Sequence, residues 1–158
     1  MTFAPNVMIR ALVALALALT GLVATASASP AQAAVSQTYL NGYEKQVVNA
    51  INAERAKRGL STLRYTACPD GYGEAWARKL RTSSTIYHQS MRTVMNGCGA
   101  SRAAENLARA RTSAVNLVKL WMASPGHRAN ILDRYVNQVG VGTQCASMCT
   151  TVADFVRS

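Results

Sequence analysis

The stretch "WMASPGHRANIL", Trp121–Leu132, sets two helices end to end. Upstream of it, Ala114, Val118, Trp121 and Met122 recur at helical spacing in "TSAVNLVKLWM", which reads as an amphipathic helix capped by Thr112 or Ser113. Ser124 is then a good N-cap for a second helix, and Pro125 suits the first helical position, where no N–H is required. Gly126 adds no side chain, so His127 falls in the first turn, and Ile131 and Leu132 point inward. The positive end of a helix favours neutral imidazole, which is the form that binds a metal.

Working outward, Leu40, Tyr43, Val47 and Ile51 define a helix over residues 39–58 that Gly59 ends. "LSTLRY" reads as extended or as a turn leading into Cys68-Pro69. A further helix over about 73–82 buries Ala75, Trp76 and Leu80. "SSTIYHQS" (Ser83–Ser90) reads as loop and "ENLAR" (Glu105–Arg109) as a short extended piece. Downstream, "VNQVGVGTQ" and "TTVADFV" are β-branched and form two antiparallel strands. Helices first and a hairpin last give an α+β domain, with helices packed on a small antiparallel sheet.

Residues 1–33 read as a secretory signal peptide. Arg10 supplies the positive region, "ALVALALALTGLVA" (Ala11–Ala24) the apolar region, and small-residue sites place cleavage between Ala28 and Ala33. The apolar run is shorter than the ~20 residues a bilayer span requires. No transmembrane segment is expected after cleavage. Residues 34–38 are a short leader, and 39–158 form one domain.

Cys68, Cys98, Cys145 and Cys149 all follow the signal, and an even number in an exported chain points to two disulfides. Three pairings are open. The favoured one is Cys68–Cys98 with Cys145–Cys149, since the latter flank only "ASM", a hairpin tip. A four-cysteine zinc site would need a Cys-x-x-Cys knuckle, which the sequence lacks.

The formal net charge is +10, and +9 without the signal, because Arg10 is the only charged residue of 1–33. Such a domain should associate with anionic polymers such as those of a cell wall. The cations are scattered, with "RKLR" (Arg78–Arg81) the densest group and no aromatic interleaving, so dedicated nucleic-acid binding is not expected. Arg128 has Asp133 or a helix end as its expected partner.

The chain has two histidines, His88 and His127, with Glu105 between them. Two imidazoles and a carboxylate are a ligand set for an open metal site, although no His-Glu-x-x-His helix pre-assembles them. Local hydrogen-bond anchoring is the alternative role.

"AENLA" (Ala104–Ala108), "WMASPGHRANIL" and "VGVG" (Val139–Gly142) resemble the bacterial branch of the CAP superfamily. That group comprises cysteine-rich secretory, antigen 5 and pathogenesis-related 1 proteins, and its domain is also called SCP. The first helix, with Asn49, Asn52 and Arg55, the "YHQS" segment and the "TTVADF" strand extend the likeness over residues 39–155. The resemblance implies a three-layer α-β-α sandwich with a cleft holding two histidines and two glutamates. His88, Glu105 and His127 match three of the four, while Ser124 stands where the second glutamate belongs. In family members with metal, zinc sits on the two histidines, so His88 and His127 are the metal candidates here.

These residues favour a secreted binding scaffold over an enzyme. Its cleft would take zinc, another divalent metal or a small apolar ligand, and its partners would be an anionic wall polymer or a lipid or sterol-like ligand. The alternative is a metal-dependent extracellular hydrolase with Glu105 as base. A glycan-cleaving mechanism needs a carboxylate pair, and the sequence offers Glu105 no obvious partner.

Overall fold

The computed structural model describes residues 30–158, with side-chain burial from residue 41 onward. Most of the expected signal segment, residues 1–29, therefore lies outside the described residues. The element order is α1 (Pro30–Ala56), β1 (Arg64–Tyr65), α2 (Ala67–Leu80), α3 (Met91–Cys98), β2 (Arg102–Arg109), α4 (Ala114–Ala123), α5 (Pro125–Ile131), β3 (Gln138–Cys145) and β4 (Cys149–Arg157). One four-stranded sheet has the order β1-β3-β4-β2. The expected β3–β4 hairpin is present, with Cys145 opposite Cys149, and β2 adds antiparallel to β4. β1 pairs parallel to β3, so the sheet is mixed rather than purely antiparallel.

Alternation along the strands divides the molecule into three layers. Val139, Val141, Ala153 and Phe155 join Val47, Ile51, Leu117, Val118, Trp121 and Ile131 in the main core, beneath α1, α4 and α5. On the other face, Leu107 and Val152 pack with Ala77 and Leu80 of α2, and α3 rests against α2 and β2. Here the α2 backbone lies directly on β3. A Cβ at Gly140 would overlap the backbone of Pro69 and Asp70, and one at Gly142 the backbone of Gly73 and Glu74.

Several element boundaries depart from the sequence reading. α1 spans Pro30–Ala56, so residues 34–38 continue the helix instead of preceding it. α2 begins at Ala67, and its buried face is Pro69, Gly73, Ala77 and Leu80. Ala75 falls on the opposite side and is exposed, and Trp76 is only half-buried. α3 was not anticipated. Ser90 caps it by accepting from the Thr93 N–H at 3.3 Å, and Gly99 ends it in the left-handed region at φ 58°.

Ser113 caps α4, its hydroxyl accepting from the Asn116 N–H. Ser124 does end α4 and begin α5, but its side chain makes no cap bond. The junction rests on Pro125 and on Arg128 N–H donating to the Ser124 carbonyl at 2.9 Å. The disulfides are Cys68–Cys98, tying α2 to α3, and Cys145–Cys149, closing the hairpin tip.

The resemblance residues of α1 hold the chain together. Asn52 makes two bonds to the Leu63 backbone, at 3.0 and 2.8 Å. Arg55, 1% exposed, donates to the carbonyls of Ser61, Ile131 and Asp133, each at 2.8 Å. One guanidinium thus joins the end of α1, the loop after it and the end of α5.

Candidate functional site

The site lies at the β2 edge of the sheet, and two neighbouring residues of that strand organise it. Successive strand residues face opposite sides, so Glu105 looks toward the α2 layer and Asn106 toward α5. The His88 imidazole meets Glu105 on one side, its Nδ1 at 2.5 Å from Oε1. On the other side, the Asn106 amide donates to the His127 carbonyl at 3.1 Å. Asn130 donates to the Glu105 carbonyl and to Asn106 Oδ1, both at 3.0 Å, and so locks the second turn of α5 to the strand.

The two histidines lie close enough for their charges to interact. The His127 imidazole is held below its usual pKa, mainly by burial and then by His88. Neutrality at His127 was expected from the sequence; its main cause here is burial. The His127 ring also stands 6.4 Å, centroid to centroid, from the ring of Trp121.

Glu105 is far more enclosed than the histidine it holds. Its side chain is 1% exposed against 61% for His88. A carboxylate oxygen accepts, so this contact calls for the Nδ1–H tautomer of His88 and leaves Nε2 as the free nitrogen. The second carboxylate oxygen accepts from Gln89 Nε2 at 2.8 Å, and the same amide donates to Asp154 Oδ2 at 2.9 Å.

Asp154 stands directly opposite Glu105 across the β2–β4 pairing and is fully buried. Burial, then the charge of Glu105, pushes its carboxyl up to about 8, with the Gln89 bond acting the other way. Its Oδ1 has no hydrogen-bond partner among the described residues. Glu105 therefore does have a carboxyl partner, contrary to the sequence reading. The signal was a lone acid in the otherwise apolar "TTVADFV", beside a Gln that follows the first histidine.

The structure thus brings His88 and Glu105 into contact and His127 into their neighbourhood. It does not group them as a three-ligand centre: among the described residues, no three His, Cys, Asp or Glu side chains are arranged to hold a metal ion. Of the two partners expected for Arg128, Asp133 or a helix end, it takes the helix end: it donates to the Met122 carbonyl in the last turn of α4 at 3.1 Å, while Asp133 pairs with Arg102 at 2.7 Å.

Three layers around a mixed four-stranded sheet make an α-β-α sandwich, with a histidine on each side of the Glu105-Asn106 strand edge. The sequence model of the cysteine-rich secretory protein family, CAP, matches residues 48–155, and the chain belongs to that family. A relative in Bacillus subtilis (strain 168), uncharacterized protein YkwD, is 34% identical over 131 residues, which is 75% of this chain and 51% of that protein. Among solved structures, an extracellular protein containing an SCP domain from Bacillus anthracis superposes with a TM-score of 0.70 at 21% identity, over 82% of this chain and 44% of that one. An outer surface protein of Borrelia burgdorferi superposes with a TM-score of 0.65 at 20% identity, over 72% of this chain and 90% of that one. The chain spans about half the length of the curated relative it matches.

Proposed function

We propose that this CAP domain is an extracellular binding scaffold whose β2-edge cleft holds a divalent ion weakly, between the imidazoles of His88 and His127. One observation carries the reading: an exposed histidine fixed at Nδ1 by a buried carboxylate, with its Nε2 left free. Metal-binding imidazoles are usually oriented in this way by a carboxylate behind them. The neutral state of His127 supports the same use.

The donor set does not fit a catalytic zinc centre, which takes three protein ligands and one open position. Glu105 is also poorly placed as a general base, since both of its oxygens are engaged and its side chain is enclosed. The hydrolase alternative therefore has less support than binding.

Extracellular placement is supported by the two disulfides and by the structural relatives, one an extracellular protein and one an outer surface protein. Among the described residues, no helix is long and apolar enough to cross a membrane. The excess of cations supports anionic wall polymers as partners. Calorimetric titration of zinc into the protein tests the cleft. Either His88→Ala or His127→Ala should abolish most of the binding, Glu105→Gln should weaken it less, and all binding should weaken as pH falls below the ordinary histidine pKa of ~6.5. Equal zinc binding by wild type and His127→Ala would refute the assignment.

A further inference from the structure

We propose that the groove between α2 and α3 binds an acidic sugar unit, one hexose ring bearing a carboxylate, of an extracellular polysaccharide. This rests on the reading of the chain as a binder of anionic polymers, and it gives that reading a site. The groove encloses about 370 Å³ and is lined by Tyr72, Ala75, Trp76, Lys79, Gln89, Ser90 and Thr93. That volume falls in the roughly 300–1,000 Å³ range of small-ligand sites.

Its wall is already rigid. The Trp76 indole N–H donates to the Tyr87 carbonyl at 2.8 Å, and the two rings meet edge to face at 5.4 Å. Tyr72 is seated because Gly97 of α3 has no side chain; a Cβ there would overlap the phenol. The Gln89 amide is anchored inward on Glu105 and Asp154. The Lys79 ammonium lies over the Trp76 ring at 4.1 Å and 5.7 Å from the Tyr87 ring, which holds it at the groove.

The chemistry of the lining selects the ligand. Aromatic rings beside an amide and two hydroxyls match a ring with an apolar face and hydroxyl edges. An acyl chain would offer nothing to the Lys79 ammonium or the Thr93 hydroxyl at the groove, and a bare phosphate would leave Trp76 unused. None of the lining residues is acidic, and Lys79 has no ion pair among the described residues. A carboxylate on the sugar fits that cation.

Tetragalacturonate, its neutral methyl ester and inorganic polyphosphate are suitable probes, followed by NMR of the two tryptophan indole N–H signals. Trp121 is buried in the core and serves as an internal control. The Trp76 signal should shift saturably with tetragalacturonate while that of Trp121 stays fixed. Losing a charged hydrogen bond should cost about tenfold in affinity, both for the methyl ester and for Lys79→Gln. Lys79→Arg should restore binding, and Arg134→Gln should bind as wild type does. An unmoved Trp76 signal overturns the groove, as does equal weakening by Lys79→Gln and Arg134→Gln with polyphosphate competing equally, which would mean charge alone. If wild type also fails to adhere to isolated cell walls at low salt, the polymer reading falls too. If it adheres while Trp76 stays unmoved, only the groove falls.

Discussion

Trp121 is 1% exposed, and its indole N–H has no hydrogen-bond partner among the described residues, so its contribution is packing. Trp121→Ala should destabilise the protein by ~3–5 kcal/mol in chemical denaturation. Three residues along, Ser124→Ala should be nearly neutral, because the hydroxyl makes no cap bond. A second sensitive residue is Glu44, 2% exposed, which accepts the Thr143 N–H at 2.6 Å. Burial, then Glu74, pushes its carboxyl up to about 9 from an ordinary 4.5. Asp154 is raised to about 8 from 3.8. Both folded values exceed the unfolded ones, so their stabilising contribution is complete below about pH 4 and declines as pH rises toward 8–9, where it is lost. Denaturant midpoints measured from pH 5 to pH 10 should fall with increasing pH. Asp154→Asn should flatten the part of that slope below about pH 8.

At the scale of elements, the decisive contact is α2 lying on β3. Gly140→Ala and Gly142→Ala would drive a methyl group into the helix backbone, which cannot move aside as a flexible side chain would. Each should cost about 3 kcal/mol or more in thermal melting, at or beyond the upper end for overpacking. Gly97→Ala meets only the Tyr72 side chain and should cost less. The bridges act between elements as well. By loop entropy, removing Cys68–Cys98 should cost roughly 3–4 kcal/mol and removing Cys145–Cys149 roughly 2. Reductive unfolding of single-bridge variants checks the order.

The full sequence carries a formal +10, and among the described residues the cations lie on helices, strands and loops. Retention on anionic walls should therefore weaken steeply with salt, because the screening length falls to about 8 Å at 0.15 M. Zinc binding in the proposed cleft should change little over the same range, since coordination by two imidazoles would not depend on screening of surface charge. Measuring both on one preparation separates surface attraction from the site. Unchanged wall retention at high salt would contradict the charge argument.

The sequence by itself determined the parts that local chemistry governs. Helical spacing marked α1 and α4, Pro125 started α5, and a β-branched pair of strands closed by Cys145 and Cys149 gave the hairpin. His88, Glu105 and His127 were legible as candidates, and the fold brings the first two into contact. Other features depended on partners distant in the chain. The α2 start and its buried face were set by glycines of β3, far along the sequence. β1 is two residues long and exists only through its parallel pairing with β3. Asp154 joins Glu105 because register sets them opposite each other across β2 and β4, and Gln89 then bridges both. A strand's spacing shows which face a residue takes, but only the folded sheet decides which residue stands across from it.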